Sequence, residues 1–299
     1  MTGRTLPRIV SVFILVISGL QLAAQVLASW TTLLAPFRIA GNLYYVGSQD
    51  LAAYLIVTPK GNILINSNLQ SSPPQIKKSI EALGFKYSDT KILLISHGHY
   101  DHCAGSAEIK RETGAKYEVM AQDVPVVQSG GHNDFHYAAD KTMWFRPSKV
   151  DRILHDGDTV SLGGTTLTAH LTAGHTKGTT TWTLNEAEGD PNLRGEVVRI
   201  LHVVIVGSPN VNPGYKLVNN RTYPQIAADY RRGFEVLKSL PCDVFLGAHG
   251  GYFDMLAKYD RFKKGDKNAF IDPVGYKAYI ADREQAFQAE LKKQSAAKH

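Results

Sequence analysis

Cysteine is nearly absent from this 299-residue chain, which holds only Cys103 and Cys242. Two thiols so far apart do not define a disulfide framework, so the core or a bound metal must hold the fold together. Low-complexity tracts and blocks of like charge are also missing, which excludes a disordered chain. The hydrophobic fraction of 43% and the charged fraction of 20% are those of a globular protein with a sizeable core. The formal net charge is +6, but the cations are dispersed, and the densest groups are the doublets Lys263-Lys264 and Lys292-Lys293. That distribution reads as a solvated face, and no nucleic-acid partner is expected.

The one long apolar run lies at the start. Arg4 and Arg8 precede Ile9 to Leu20, followed by Leu22-Ala23-Ala24 and Val26-Leu27-Ala28. A charged leader, an apolar stretch and a small-residue site are the parts of a secretory signal peptide. Ser11, Ser18, Gln21 and Gln25 interrupt the run, whereas a membrane anchor needs about 20 mostly apolar residues. We therefore expect residues 1–28 to be removed, with cleavage after Ala24 or Ala28. The mature protein is then periplasmic or secreted, without stable membrane association, and a monomer. Loss of Arg4 and Arg8 leaves it basic, at +4.

Residues 29–299 contain no linker and read as one domain of two similar halves. In the first half, Asn42 to Val46, Ala53 to Val57 and Asn62 to Asn66 are strand-like, with a Lys60-Gly61 turn between the last two. A helix is expected from Ser72-Pro73 to Gly84, with Ile76, Ile80 and Leu83 at helical spacing. Lys91 to Ser96 is a strand apolar enough to be buried on both faces. A helix over Gly105 to Glu112 and a strand over Lys116 to Ala121 follow. Gln128 to Pro147 has no period, and loops of that length are often functional. The second half offers strands at 159–162, 165–171, 179–184 and 200–206, a helix over 224–240, a strand over 242–246 and a final helix over 276–293. Strands first and helices after, twice over, give an α/β fold, a four-layer α/β/β/α sandwich.

The strongest chemical signal is His97-Gly98-His99-Tyr100-Asp101-His102, between the buried strand and a helix. Three imidazoles and a carboxylate this dense form a metal-ligand cluster rather than a His-rich surface turn; such ligands suit zinc or iron, with zinc the default where no redox role is evident. His97 and His99 can converge on one ion from the turn, while Asp101 and His102 point to a neighbouring one. His170, His202 and His155 lie in strand or turn patterns and are expected to be structural. His132 and His136 belong to the long middle loop.

The H-x-H-x-D-H run after a strand resembles the signature of the metallo-β-lactamase superfamily. The resemblance implies a third ligand for the first zinc in a Gly-His-Thr context, which Gly174-His175-Thr176 supplies. It also implies a last histidine after a buried strand, supplied by Ala248-His249-Gly250. Glyoxalase-II-like thioesterases carry a bridging aspartate where this chain reads Val206-Gly207-Ser208-Pro209-Asn210. Two lactamase subclasses place a cysteine there, and the third, subclass B3, a serine. Ser208 therefore resembles B3. The implied cofactors are two zinc ions, one on His97, His99 and His175 and one on Asp101, His102 and His249.

The implied activity is opening of the β-lactam ring of penicillins, cephalosporins and carbapenems by a zinc-bound hydroxide, which Asp101 orients as the catalytic carboxylate. The partner is thus a small-molecule β-lactam, with Ser208 and Asn210 as candidates to hold its carboxylate. The loop from Ser129 to Phe145, with Phe135 and Tyr137, is expected to cover the site. A lactonase or thioesterase of the same fold is the alternative. Several positions depart from the family pattern. Asn66 stands where relatives usually carry an aspartate, and Lys177 and Gly250 replace common prolines. Cys242 matches a cysteine bridged in some B3 enzymes, but its partner position here is Tyr276. Cys103, beside His102, is expected to be a packed thiol.

Overall fold

The computed structural model describes residues 28–188 and 198–297, so the expected signal segment lies outside the described residues apart from Ala28. Its strands form two sheets, each in sequence order. The first sheet contains β1 (Phe37–Ala40), β2 (Leu43–Tyr45), β3 (Tyr54–Thr58), β4 (Gly61–Ile65), β5 (Thr90–Leu94), β6 (Lys116–Met120) and β7 (Arg152–Leu154). Hairpins make β1 to β4 antiparallel, whereas β4 to β7 are parallel because helices intervene. The second sheet contains β8 (Thr159–Leu162), β9 (Thr165–Leu171), β10 (Thr180–Glu188), β11 (Arg199–Val206) and β12 (Val244–Gly247). Only β11 and β12 are parallel there, joined through a helix at Ile226–Ser239.

Alternation along the strands decides the layering. Leu55, Leu64 and Leu93 face one way, into a cluster with Ile76 and Ile80 of the helix α1 (Pro73–Ala82) and with Ile109. Tyr54, Ile56, Ile63, Ile65 and Leu94 face the other way, against Leu167, Ala169 and Trp182 of the second sheet. That inter-sheet core runs on into Phe234 and Leu237 and into Ile280 and Phe287 of the last helix. Helices thus flank a pair of sheets, as the α/β/β/α reading requires. No helix among the described residues is long and apolar enough to cross a membrane.

Four elements escape the sequence pattern. Phe37–Ala40 and Arg152–Leu154 are short edge strands, with four and three residues in which no alternation can show. Helices at Val124–Ser129 and Met255–Lys263 were not legible either; the second buries only Met255 and Lys258. The last helix also begins earlier than expected, at Pro273, where the Asp272 carboxylate caps the Gly275 N–H.

The two sheets are tied together at one edge. The Thr180 N–H donates to the Ser96 carbonyl at 2.8 Å. The Trp182 indole donates to the Ile95 carbonyl at 3.0 Å, and the Tyr54 hydroxyl to the Gly247 carbonyl at 2.7 Å. The segments that follow β5, β9, β11 and β12 leave the sheets there. Those segments carry His97 to His102, His175, Ser208 to Asn210, and His249.

Candidate metal centre

Residues 97–102 leave β5 in a tight path that ends in one helical turn, Tyr100–Cys103. His97, His99, Asp101 and His102 are all buried. Ligand atoms of His97, His99 and His175 lie within 4.8 Å of one another, as do those of His97, Asp101 and His102. His249 joins the second group, its Nε2 lying 3.1 Å from His102 Nε2 and 3.4 Å from Asp101 Oδ2. His102 Nε2 is 3.3 Å from the same carboxylate oxygen. The six residues expected as ligands are therefore brought together.

For His175, His99 and His249 the partners of the outward ring nitrogens fix which nitrogen faces inward. His175 Nδ1 sits 2.9 Å from the Asn210 carbonyl, which can only accept, so Nδ1 carries the hydrogen and Nε2 is bare. His99 Nε2 faces the Asp134 carboxylate at 3.5 Å and the Tyr215 hydroxyl at 3.4 Å. That hydroxyl already donates to the His175 carbonyl at 2.8 Å, so it accepts from His99 and leaves Nδ1 bare. His99 Nδ1 and His175 Nε2 then confront each other, lone pair to lone pair, at 3.1 Å. His249 Nδ1 likewise donates to Asp50 at 2.9 Å, which turns its Nε2 toward His102 Nε2 and Asp101 Oδ2.

Facing lone pairs are repulsive unless a cation lies between them. Two nitrogens bound to one zinc at ~2.0–2.1 Å in a tetrahedron stand roughly 3.3 Å apart, close to the separations here. Both ring nitrogens of His97 are also buried with no hydrogen-bond partner, as is His102 Nδ1. Orphaned imidazoles of this kind fit a divalent metal. Burial, reinforced by neighbouring histidines, pushes His97 and His175 well below the ordinary imidazole value. Burial opposes the charge of Asp101, but the adjacent His102 and His249 hold its carboxyl well below the usual range. Neutral imidazoles and an ionised carboxylate are the forms that bind metal.

Three further acids support the cluster, and sequence reasoning missed all of them. The buried Asp123 accepts the Gly98 N–H at 2.7 Å, the Gly178 N–H at 2.8 Å and the Thr176 hydroxyl at 2.7 Å. It thereby clamps the first-half loop to the second-half loop. A Cβ at Gly178 would meet Asp123 Cγ at 2.6 Å, so glycine is required for the clamp. Gly174 is held at φ +136, with the Tyr230 ring where a Cβ would sit. Asp134, on the long loop, accepts the His136 and Tyr137 N–H groups and turns its other oxygen to His99. Asp50 does the same for His249.

A cavity of about 420 Å³ opens over the cluster. Tyr137, Met143 and Phe145 of the long loop line one side, and Trp30, Tyr252 and Asn210 are among the other wall residues. Among the described residues, no lysine or arginine lines it. Phe135, expected in the cover, packs instead beneath it against Tyr215 and Tyr223, at 5.0 Å from each ring. Asn210 faces the cavity, whereas Ser208 is buried and its hydroxyl pairs with the Tyr252 hydroxyl at 3.0 Å. His136 packs on Tyr137 and Tyr215, and the exposed His132 stacks on Trp144. His170 pairs with Thr183, His202 with Asp243, and His155 is exposed.

The departures from the family pattern find local reasons. Asn66 accepts the Ser96 N–H and donates its amide to the Ala52 carbonyl, a task a carboxylate cannot perform. The Gly250 N–H donates to the Asp50 carbonyl at 2.6 Å, which a proline would forbid. Lys177 lies over the Tyr223 ring at 5.4 Å. Both cysteines are free thiols, and burial pushes the Cys103 thiol well above its ordinary value.

Comparison with known proteins agrees with this geometry. A sequence model of the metallo-beta-lactamase superfamily matches residues 51–187. The native metallo-beta-lactamase of Legionella gormanii is 57% identical, with a TM-score of 0.85 over 88% of this chain and 98% of that one. The chain belongs to the metallo-beta-lactamase superfamily. It is a hydrolase of the metallo-β-lactamase class, and its resemblance to subclass B3 holds. A subclass B3 metallo-beta-lactamase of Bradyrhizobium japonicum is 36% identical, with a TM-score of 0.82 over 91% of this chain and 99% of that one. A class B3 di-zinc metallo-beta-lactamase from an Alaskan soil metagenome is 38% identical, with a TM-score of 0.81 over 88% and 96% of the two chains. A curated protein of Burkholderia pseudomallei, described as a probable metallo-hydrolase, is 30% identical over 42% of this chain but only 40% of its own length.

Proposed function

We propose that this metallo-β-lactamase is an exported, zinc-dependent enzyme that opens the ring of penicillins, cephalosporins and carbapenems. The observation that carries the reading is the convergence of six ligand-type residues beneath one cavity, with imidazole nitrogens facing each other at 3.1 Å in two places. His97, His99 and His175 would hold one zinc ion, and Asp101, His102 and His249 a second. When bound, such a pair supplies a Lewis acid for the lactam carbonyl and lowers the pKa of the attacking water. Asp101, ionised at the cavity floor, would accept a hydrogen bond from that water and orient it.

The wall recognises the rest of the substrate. With no lysine or arginine among the described lining residues, neutral donors would help to hold the substrate carboxylate. Asn210 presents itself directly, and Ser208 acts through the Tyr252 hydroxyl. Tyr137, Met143 and Phe145 cover the apolar face and thin the water around the reacting carbonyl. Export rests on Arg4, Arg8 and the apolar run that follows them.

A panel of penicillins, cephalosporins and carbapenems, with a thioester and a lactone as controls, tests the reading on zinc-loaded protein of measured metal content. Lactam turnover with two zinc ions per chain is expected. Turnover of only the thioester or the lactone would keep the fold and overturn the function.

A further inference from the structure

Trp30 lies far from the ligand motifs in sequence, yet its side chain reaches the metal cluster. The indole Nε1 donates to Asp50 Oδ2 at 3.1 Å, the same oxygen that takes the His249 Nδ1 hydrogen at 2.9 Å. The other oxygen, Oδ1, accepts the Gly251 N–H at 3.0 Å. The Trp30 ring stands 5.8 Å from the His249 ring and 6.2 Å from Tyr100, and it lines the cavity.

The backbone holds this contact in place. Leu33 bridges Ser48, and the Gln49 N–H donates to the Thr32 carbonyl at 3.0 Å. Leu51 in turn bridges His249, and the Ala52 N–H donates to the Ala248 carbonyl at 3.0 Å. The segment bearing Trp30, the turn bearing Asp50 and the loop bearing His249 thus form one hydrogen-bonded ladder. A carboxylate with three donors has little freedom to rotate. It fixes the His249 tautomer and aims Nε2 at the second ion.

We propose that Trp30 is a positioning residue for the second metal, acting through Asp50 on His249, and that its ring is also a wall of the substrate cavity. This rests on the two-zinc reading given above. The two roles separate chemically. Trp30→Phe keeps an aromatic wall and removes the N–H, whereas Trp30→Ala removes both.

The test measures zinc binding by competition with a chromophoric chelator, alongside kcat and KM at limiting and at excess zinc. In Trp30→Phe one of the two zinc sites should lose roughly 2–12-fold in affinity, the value of one hydrogen bond, while the other is unchanged. Its kcat should fall at limiting zinc, recover with excess zinc, and leave KM near wild type. Trp30→Ala should keep a raised KM even at saturating zinc. Asp50→Asn should weaken the same site by about 10–100-fold. Wild-type zinc affinity at both sites in Trp30→Phe, or a kcat loss that excess zinc does not repair, would overturn the proposal. Wild-type protein that binds fewer than two ions per chain would instead overturn the two-zinc reading beneath it.

Discussion

The Asp123 carboxylate accepts the Thr176 hydroxyl at 2.7 Å, across 53 residues of sequence, and with its other bonds locks two ligand-bearing loops together. A buried carboxylate with three donors is a strong tie, and truncating it leaves those donors unpaired. Asp123→Ala should lower stability by roughly 2–4 kcal/mol and loosen metal binding at His97, His99 and His175. Denaturant unfolding and metal content check this together. Wild-type stability in that variant would show that the loops are placed by other means.

Gly250 stands where relatives commonly carry proline, and here its N–H is used. Gly250→Pro would remove the bond to the Asp50 carbonyl and press new atoms toward Gln49 and Met255. A loss of roughly 1–3 kcal/mol is expected, read as a drop of several degrees in Tm. An unchanged Tm would mean that the loop re-forms without that bond.

Asn66→Asp tests whether the amide is needed at that position. The ionised carboxylate would face the Ala52 carbonyl without a hydrogen to offer, in a fully buried site. The protonated acid, by contrast, can both donate to Ala52 and accept from Ser96. The variant should therefore be less stable than wild type by roughly 2 kcal/mol at pH 8, with the gap closing toward pH 5. A gap that does not depend on pH would contradict this account.

Glu186 offers a pH test away from the metal cluster. Burial pushes its carboxyl up to about 7; the Asn42 N–H opposes the rise and the neighbouring Glu188 adds to it. Between pH 4.5 and 7 the folded protein binds this proton and the unfolded chain does not, so stability falls as pH rises through that window. Glu186→Gln removes the effect. Relative to wild type it should gain roughly 2 kcal/mol on going from pH 5 to pH 8. Parallel stability curves for the two proteins would contradict it.

Much of the site was legible because its ligands follow strands that are themselves legible. His97 to His102 are local in sequence, and His175 and His249 each follow a strand with a clear apolar pattern. The supporting acids were not legible, for a physical reason. Asp50 is a lone acid in a turn, and its partner His249 lies 199 residues away. Asp134 sits in a loop without period, where only the folded path shows that it meets His99. Asp123 follows a strand as the ligands do, but one acid there carries no pattern. The layering was legible from alternation in β3 to β5, whereas Phe37–Ala40 and Arg152–Leu154 owe their strand form to pairing with neighbours. Phe135 was misplaced because composition does not tell which side of a loop faces the cavity.

The central claim is that this cluster, loaded with zinc, opens β-lactam rings. Carbapenem hydrolysis by the purified protein, with and without a zinc chelator and in His175→Ala, tests it most directly. Ring opening abolished by the chelator, restored by added zinc and lost in His175→Ala is the predicted result. Hydrolysis that persists in the chelator, or its absence from zinc-loaded protein that still turns over a thioester or lactone, would contradict it.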